Sequence, residues 1–538
     1  MNFTEAVRVA QEQYPKKVTK PIKYGTAGFR SRADELDFIM YRMGLLAGLR
    51  ARDTSSVIGV MITASHNPVP DNGVKLVDPM GEMLAPAWEV HATTLVNATD
   101  EGIASALEGI VSEAHIDTSK KALVFVGRDT RPSSNRLCDA VIAGVTAVGG
   151  EFKDFGIVST PILHYVVTCY NDGGKYGEAT VQGYYQKISR AFNKLRSSGT
   201  SNGNYDPVIL YDGANGVGAL AMSEFLNNMK KSLNVTIFNK GEGVLNHLCG
   251  ADYVKVQQKW PEGVPKTQNV RCVSVDGDAD RVIYSYLDSD GKFYMLDGDK
   301  IATLVAGYLQ ELVKGSGLQL KLGLVQTAYA NGASTAYITE KLGVPVACAK
   351  TGVKHLHHMA LEFNIGVYFE ANGHGTVIFS KTAREAIETA AQAKNNSAEK
   401  LSQVLDVINE TVGDAISDML LVETVLHARG WSVSDWNEAY TDLPNRQMKV
   451  TVADRAVITT TDAERVCVTP EGLQNTINKI VKAFLKGRSF VRPSGTEDIV
   501  RIYAEASTQE EADNLAIQVA CAVYEHAGGI GDRPKAPC

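Results

Sequence analysis

Ser56-Val57-Ile58-Gly59-Val60-Met61-Ile62 runs directly into Thr63-Ala64-Ser65-His66-Asn67-Pro68. A short, β-branched apolar run that stops at a polar turn is the pattern of a strand buried on both faces. The pattern recurs along the chain. Ala122-Leu123-Val124-Phe125-Val126 precedes Gly127-Arg128-Asp129, and Val208-Ile209-Leu210-Tyr211 precedes Asp212-Gly213-Ala214-Asn215-Gly216. Val273-Ser274-Val275 precedes Asp276, and Gly366-Val367-Tyr368-Phe369 precedes Glu370. Helix-length amphipathic stretches separate these runs, so the expected fold class is α/β. In open α/β sheets ligands bind beyond the carboxyl ends of the strands, which makes the polar residues after each run the first candidates for chemistry.

The chain has 538 residues, enough for several domains. Its 54 Lys and Arg against 61 Asp and Glu leave a formal charge of -7, which argues against a nucleic-acid partner. No apolar stretch approaches the ~20 residues that cross a bilayer, and the opening Met1-Asn2-Phe3-Thr4-Glu5 lacks the basic-then-apolar run of a secretory leader. Eight scattered cysteines without a CxxC pair read as reduced thiols, so a cytoplasmic location is expected. Ser197 to Asn204 reads as a polar loop, Asp288-Ser289-Asp290-Gly291 as a hairpin turn before a helix starting near Gly298, and Lys394-Asn395-Asn396-Ser397 as a surface loop. Met448-Lys449-Val450-Thr451-Val452 restarts a strand pattern, and a helix from Glu510 to Glu525 closes it.

Three loops carry the strongest chemical signals. Ser65 and His66 follow a buried strand, where a serine can present its oxygen to a cleft. As a nucleophile it needs a base, a metal or prior loading with a phosphoryl group, and the alternative is a capping Ser beside a turn His. Lys75 adds a cation that can return to the same mouth or remain solvated. Asp276, Asp278 and Asp280 alternate after a strand in Asp276-Gly277-Asp278-Ala279-Asp280-Arg281, and such carboxylates repel unless a hard cation, magnesium or calcium, neutralises them. The spacing is not that of an EF-hand, since Arg281 stands at the sixth position and Leu287 at the twelfth. The alternative is an acidic turn. Arg492-Pro493-Ser494-Gly495-Thr496, with Arg501 shortly after, offers a guanidinium fork and hydroxyls to a phosphate. Thr351, Gly352 and Lys354, and then Glu370, Asn372 and His374, lie in two further loops, where Glu370 and Asn372 suit sugar hydroxyl or amide groups and His374 suits proton transfer. Walker, GxGxxG and HExxH motifs are absent.

Gly25-Thr26-Ala27-Gly28-Phe29-Arg30, Thr63 to Pro68, Asp276 to Arg281 and Arg492 to Thr496 occur in the order that marks the α-D-phosphohexomutase superfamily, which the chain resembles over about residues 24 to 503. Asp71 to Asp78, Gly81-Glu82-Met83-Leu84 and Glu370-Ala371-Asn372-Gly373-His374 are similar to the members that act on N-acetylglucosamine phosphates. Asn372 stands where glucose and mannose enzymes generally carry Ser, and Val353 where bacterial members often carry His. The resemblance implies four domains around a central cleft, three similar mixed-sheet α/β domains and a C-terminal TATA-box-binding-protein-like α+β domain, over 1–178, 179–296, 297–440 and 441–538. It implies interconversion of N-acetylglucosamine 6-phosphate and 1-phosphate through a phosphoserine at Ser65 and a 1,6-bisphosphate, toward UDP-N-acetylglucosamine. It further implies Mg2+ on Asp276, Asp278, Asp280 and the Ser65 phosphate. His66, Lys75, Arg30, Arg281 and His374 are then the catalytic candidates, and Thr351, Gly352, Lys354, Glu370, Asn372, Arg492, Ser494, Gly495, Thr496 and Arg501 the substrate-binding ones. The partners expected are small sugar phosphates. A glucose or mannose phosphate mutase and a non-catalytic phosphosugar binder are the other functions the pattern allows.

Overall fold

In the computed structural model Ile58–Ile62 is a strand with every residue buried, as its apolar run predicts. The structure describes residues 2–25, 28–197, 203–229, 232–494 and 498–535. These form two compact units, one of Met1–Gly298, Asn372–Val377 and Ile387–Ser434, the other of Asp299–Ala371, Ile378–Ala386 and Asp435–Cys538.

The first unit holds two five-stranded sheets. One runs in the order Phe29–Arg32, Asp71–Val77, Ile58–Ile62, Leu123–Arg128, Glu151–Ile157. Its first two junctions are antiparallel and the other two parallel. Helix Thr160–Asn171 is almost wholly buried and packs on Ile58–Ile62 and Leu123–Arg128. The second sheet runs Phe293–Leu296, Val282–Leu287, Arg271–Val275, Val208–Asp212, Asn234–Phe238, with the same succession of senses. Both central strands, Ile58–Ile62 and Arg271–Val275, are buried throughout because layers cover both faces.

A third sheet has the order Val346–Ala349, Leu322–Thr327, Ile365–Phe369, Gly375–Phe379, with the first two junctions parallel. Five residues join the last two strands, too few for a parallel crossover. The C-terminal part is α+β: an antiparallel sheet of Asn445–Thr451, Ile499–Glu505 and Arg488–Pro493, with a ribbon of Thr459–Thr461 and Val466–Thr469. Helices Leu473–Val481 and Gln509–His526 share its core through Leu473, Ile477, Leu515 and Val519.

Some details differ from the sequence expectation. Asn396 and Ser397 belong to helix Asn396–Val407 rather than to a surface loop. The reason is that the Asn395 side chain accepts the Ala398 N–H at 3.0 Å and starts the helix there. Of the polar stretch from Ser197 to Asn204, Ser197 ends helix Val181–Ser197, and 198–202 lie outside the described residues. The strand after Ala122 continues through Arg128. Seven cysteines are described and all are free. No helix among the described residues is long and apolar enough to cross a membrane.

His164, buried in helix Thr160–Asn171, donates Nδ1–H to the Gly81 carbonyl at 2.7 Å. Its Nε2 has no hydrogen-bond partner. Burial, opposed by the Gly81 bond, depresses this imidazole from 6.5 to about 4. The unfolded chain therefore binds the extra proton first, and stability falls as pH drops through this window, by up to ~3 kcal/mol. His164→Gln should flatten the pH dependence of the urea midpoint between these values.

Candidate active site

Ser65 emerges from the end of Ile58–Ile62 fully buried and with φ of 51°, a left-handed conformation that a side chain rarely adopts. Its N–H is taken by Thr63 Oγ1 at 2.9 Å. Its Oγ donates to Asp276 Oδ2 at 2.6 Å, 211 residues away in sequence. His66 Nδ1 lies 3.5 Å from the same Oγ.

The acidic loop joins Arg271–Val275 to Val282–Leu287. Asp276 Oδ1 folds it back by accepting the N–H groups of Asp280 at 3.0 Å and Arg281 at 3.2 Å. One oxygen from each of Asp276, Asp278 and Asp280 then lies within 4.8 Å of the others, all three residues buried. Lys75 Nζ sits 3.2 Å from Asp278 Oδ2 and 3.2 Å from Asp280 Oδ2. Thr160 Oγ1 donates to Asp278 Oδ2 at 2.6 Å, and its N–H to the Asp278 carbonyl at 3.2 Å. Arg281 Nε approaches Asp280 at 3.8 Å and Asp276 at 3.9 Å. Arg30 reaches Asn67 Oδ1 at 3.5 Å. His374 Nδ1–H donates to the Asp280 carbonyl at 2.9 Å. Gly373 is what lets the 372–374 turn come this close, since a Cβ there would meet the Val282 carbonyl oxygen at 2.0 Å.

The electrostatics follow from this packing. Burial, with Asp280 and Asp278 alongside, pushes the Asp276 carboxyl well above the usual range. Burial acts the same way on Asp278 and Asp280, but Lys75 and the surrounding cations outweigh it and both lie below that range. Burial would lower Lys75, yet Asp278 and Asp280 hold it above its ordinary value, so it stays a cation. Burial, together with Arg281 and Arg30, lowers His66 to about 3, which keeps it neutral. Burial also lowers Arg30. Asp278 Oδ1 and Asp280 Oδ1 are buried with no hydrogen-bond partner. Converging carboxylate oxygens, two of them left unsatisfied, suit a small hard cation.

The remaining candidates are distributed as follows. Asn372 belongs to the first unit, where its Oδ1 accepts the His374 N–H at 3.0 Å. In the second unit Gly352, at φ 119°, leads into helix Val353–Ala360, which carries Lys354. Glu370 follows strand Ile365–Phe369. Thr351 donates N–H and Oγ1–H to Glu464 Oε2 at 3.0 and 2.5 Å. Arg492 donates to Glu464 Oε1 at 3.3 Å and to Tyr329 Oη at 3.1 Å. Glu464 thus ties two expected loops together. Arg492 stands directly opposite Arg501 across the sheet, and Arg501 opposite Lys449. Like charges facing one another across strands are unfavourable until an anion joins them. Ser494 is buried and its N–H donates to the Ile499 carbonyl at 2.9 Å. Gly495 and Thr496 lie outside the described residues.

Sequence reasoning missed Thr160, Glu464, Tyr329 and Lys449. Ser159-Thr160-Pro161 is a legible helix start and points toward Thr160. Glu464 sits in an ordinary hairpin turn with no such signal.

The phosphoacetylglucosamine mutase of Sus scrofa is 56% identical over 519 residues, covering 96% of this chain and 96% of its own. The chain belongs to the phosphoacetylglucosamine mutase family. Family models described as phosphoacetylglucosamine mutase AMG1, domain II and domain III, match residues 176–283 and 297–431. Models of the phosphoglucomutase/phosphomannomutase alpha/beta/alpha domain I and C-terminal domain match 47–102 with 89–177, and 448–522. The solved Aspergillus fumigatus N-acetylphosphoglucosamine mutase, in complex with GlcNAc-6P and magnesium, is 46% identical with a TM-score of 0.94, over 98% of this chain and 99% of that one. A serine-to-alanine variant of that enzyme, in complex with glucose 1,6-bisphosphate, has a TM-score of 0.91 at 46% identity over the same 98% and 99%. In this member of the family the Asp278 carboxylate is aimed by Thr160. Thr160→Val should weaken divalent-ion affinity about 10–100-fold, read from metal titration of activity.

Proposed function

We propose that this chain interconverts N-acetylglucosamine 6-phosphate and N-acetylglucosamine 1-phosphate, with Ser65 as the residue that lends and recovers the phosphoryl group. The observation that carries the reading is the Ser65 Oγ, held 2.6 Å from Asp276 at a cluster of three buried carboxylates. The fungal relative with its sugar phosphate and magnesium supports it.

Asp276, Asp278 and Asp280 fit a magnesium ion by their oxygen donors and unsatisfied Oδ1 atoms, together with a phosphate oxygen on Ser65. Such an ion withdraws charge from a phosphoryl group when bound. In the forward half-reaction the bond from Ser65 Oγ to phosphorus breaks and a bond from phosphorus to the free sugar hydroxyl forms. Lys75 and Arg30 stabilise the oxygen left on Ser65. Of the proton carriers expected, His66 is neutral and Lys75 is a cation locked to two carboxylates. His374 spends Nδ1–H on the Asp280 carbonyl, which leaves Nε2 to take up the proton of the attacking hydroxyl. The 1,6-bisphosphate then turns round and returns its other phosphoryl group to Ser65.

The distal phosphate rests on Arg492, Ser494, Gly495, Thr496 and Arg501, and Thr351, Gly352, Lys354, Glu370 and Asn372 read the sugar. Facing guanidiniums at Arg492 and Arg501 support the phosphate assignment. The division into 1–178, 179–296, 297–440 and 441–538 is supported by the spans 176–283, 297–431 and 448–522 of the family models. The product feeds UDP-N-acetylglucosamine synthesis, and the scattered free thiols suit the cytoplasm.

Ser65→Ala should abolish isomerisation in a coupled assay with N-acetylglucosamine phosphates while sugar-phosphate binding persists. Near-normal turnover in that variant, or faster turnover of glucose 1-phosphate by the native enzyme, would overturn the reading. Arg492→Lys should raise the apparent Michaelis constant about tenfold with little change in kcat, because a point charge replaces a bidentate fork.

A further inference from the structure

Ser65 occupies a backbone conformation that costs roughly 1–3 kcal/mol for a residue with a side chain, so its surroundings must enforce it. The enforcing group is Arg131, in the turn after strand Leu123–Arg128, with its side chain wholly buried. All five of its guanidinium N–H donors are engaged. Nε donates to Asp129 Oδ2 at 2.9 Å. One terminal nitrogen donates to the carbonyls of Ser65 at 2.9 Å and Asn67 at 2.8 Å. The other donates to the carbonyls of Pro68 at 2.8 Å and Asp71 at 3.2 Å. The serine loop is thus wrapped around one planar cation through four backbone oxygens.

Two further contacts complete the grip. Asp129 Oδ2 accepts the Thr63 hydroxyl proton at 2.8 Å, which turns the Thr63 oxygen toward the Ser65 N–H. From the second sheet's side, Asn246 Nδ2 donates to the Ser65 carbonyl at 2.9 Å and to the Asn67 carbonyl at 3.3 Å. Both backbone polar groups of Ser65 are therefore assigned, and its Oγ alone is left to face the carboxylates. A fully buried ion pair such as Asp129 with Arg131 is a weak source of stability, and its use lies in the conformation it specifies.

We propose that Arg131, oriented by Asp129 and assisted by Asn246, is a positioning residue for phosphoryl transfer. It holds the Ser65 loop so that Oγ meets the carboxylate cluster, without touching substrate. The proposal rests on the reading of Ser65 as the phosphoryl carrier. Lysine cannot reproduce five donors in a plane, and a displacement near 1 Å costs about 100-fold in rate.

The test uses the full chain, phosphorylated on Ser65, as native enzyme, Arg131→Lys and Asn246→Gly, with Ser65→Ala, which cannot carry the phosphoryl group, alongside. Glycine suits position 246 because Asn246 has φ of 58°, so the carboxamide is removed without backbone strain. Arg131→Lys should lower kcat and the single-turnover loss of phosphate from Ser65 about 100-fold, and Asn246→Gly about tenfold. Michaelis constants should stay within about twofold at a temperature well below each melting point, and amide exchange in 63–71 should accelerate. Native single-turnover rates with unchanged exchange would overturn the proposal, as would losses that track the unfolded fraction. If Arg131→Lys does not fold, Asn246→Gly decides alone. Turnover by Ser65→Ala instead sinks the phosphoserine reading, whereas an inactive Ser65→Ala beside native Arg131→Lys and Asn246→Gly sinks only the clamp.

Discussion

Three carboxylates buried in one six-residue loop are the constraint to which the first unit answers. Asp276, Asp278 and Asp280 bring oxygens within 4.8 Å of one another with all three residues buried, so their repulsion is poorly screened. The chain meets this charge from separate segments. Arg30 and Lys75 come from the first sheet, Thr160 from the start of a helix, and Arg281 from the loop itself. Three carboxylates against Lys75, Arg30 and Arg281 make the cluster close to neutral. On the proposed reading a divalent cation and a phosphoserine of about two negative charges enter as a neutral pair, so the site carries the same balance loaded and unloaded.

The sheets explain why these segments meet. In each α/β sheet a central strand has one parallel neighbour and one neighbour joined to it by a short connection: Ile58–Ile62 to Asp71–Val77, Arg271–Val275 to Val282–Leu287, and Ile365–Phe369 to Gly375–Phe379. Those three connections carry Ser65, the aspartates, and Asn372 with His374. The first sheet reaches the arrangement by a different route, since its short connection precedes its parallel strands, whereas in the other two it follows them. The loose similarity of pattern along the sequence therefore reflects one strand arrangement met in two chain orders, which hides the repeat from simple self-comparison.

What was legible in the sequence was whatever depends on local pattern. The buried strand at 58–62, the strand before Asp276, the hairpin at 288–291 and the helix from Gly298 follow from apolar runs and turn residues. Ser65 and the aspartates stood out as candidates because they follow apolar runs, although a capping serine and an acidic turn fit the same residues. The partners that place them were not. Lys75 could be read as solvated, since only the pairing of Met61 with Lys75 in adjacent strands sets its position. Arg131 looks like any turn arginine until four carbonyls from 65–71 are found around it. Glu464 gains its meaning only from Thr351 and Arg492, 113 and 28 residues away. Such contacts are set by tertiary packing, which a window of sequence does not contain.

The serine itself shows why a site of this kind needs so much support. A chain that has to turn through the left-handed region ordinarily places glycine there, but glycine has no oxygen to carry a phosphoryl group. Glycine is used instead one loop away, at Gly277, where a Cβ would come within 2.6 Å of the Ser65 carbonyl oxygen. The crowding is thus relieved on the aspartate loop, which can spare a side chain between its carboxylates, and the strain is kept on the serine, whose oxygen the proposed chemistry needs. Backbone strain on a reactive residue persists only where its N–H and C=O are both held from outside. Here one is held through Thr63 and Asp129, the other through Arg131 and Asn246. The conformation of Ser65 is therefore a property of several distant segments, and the chemistry proposed for it depends on residues that never meet the sugar.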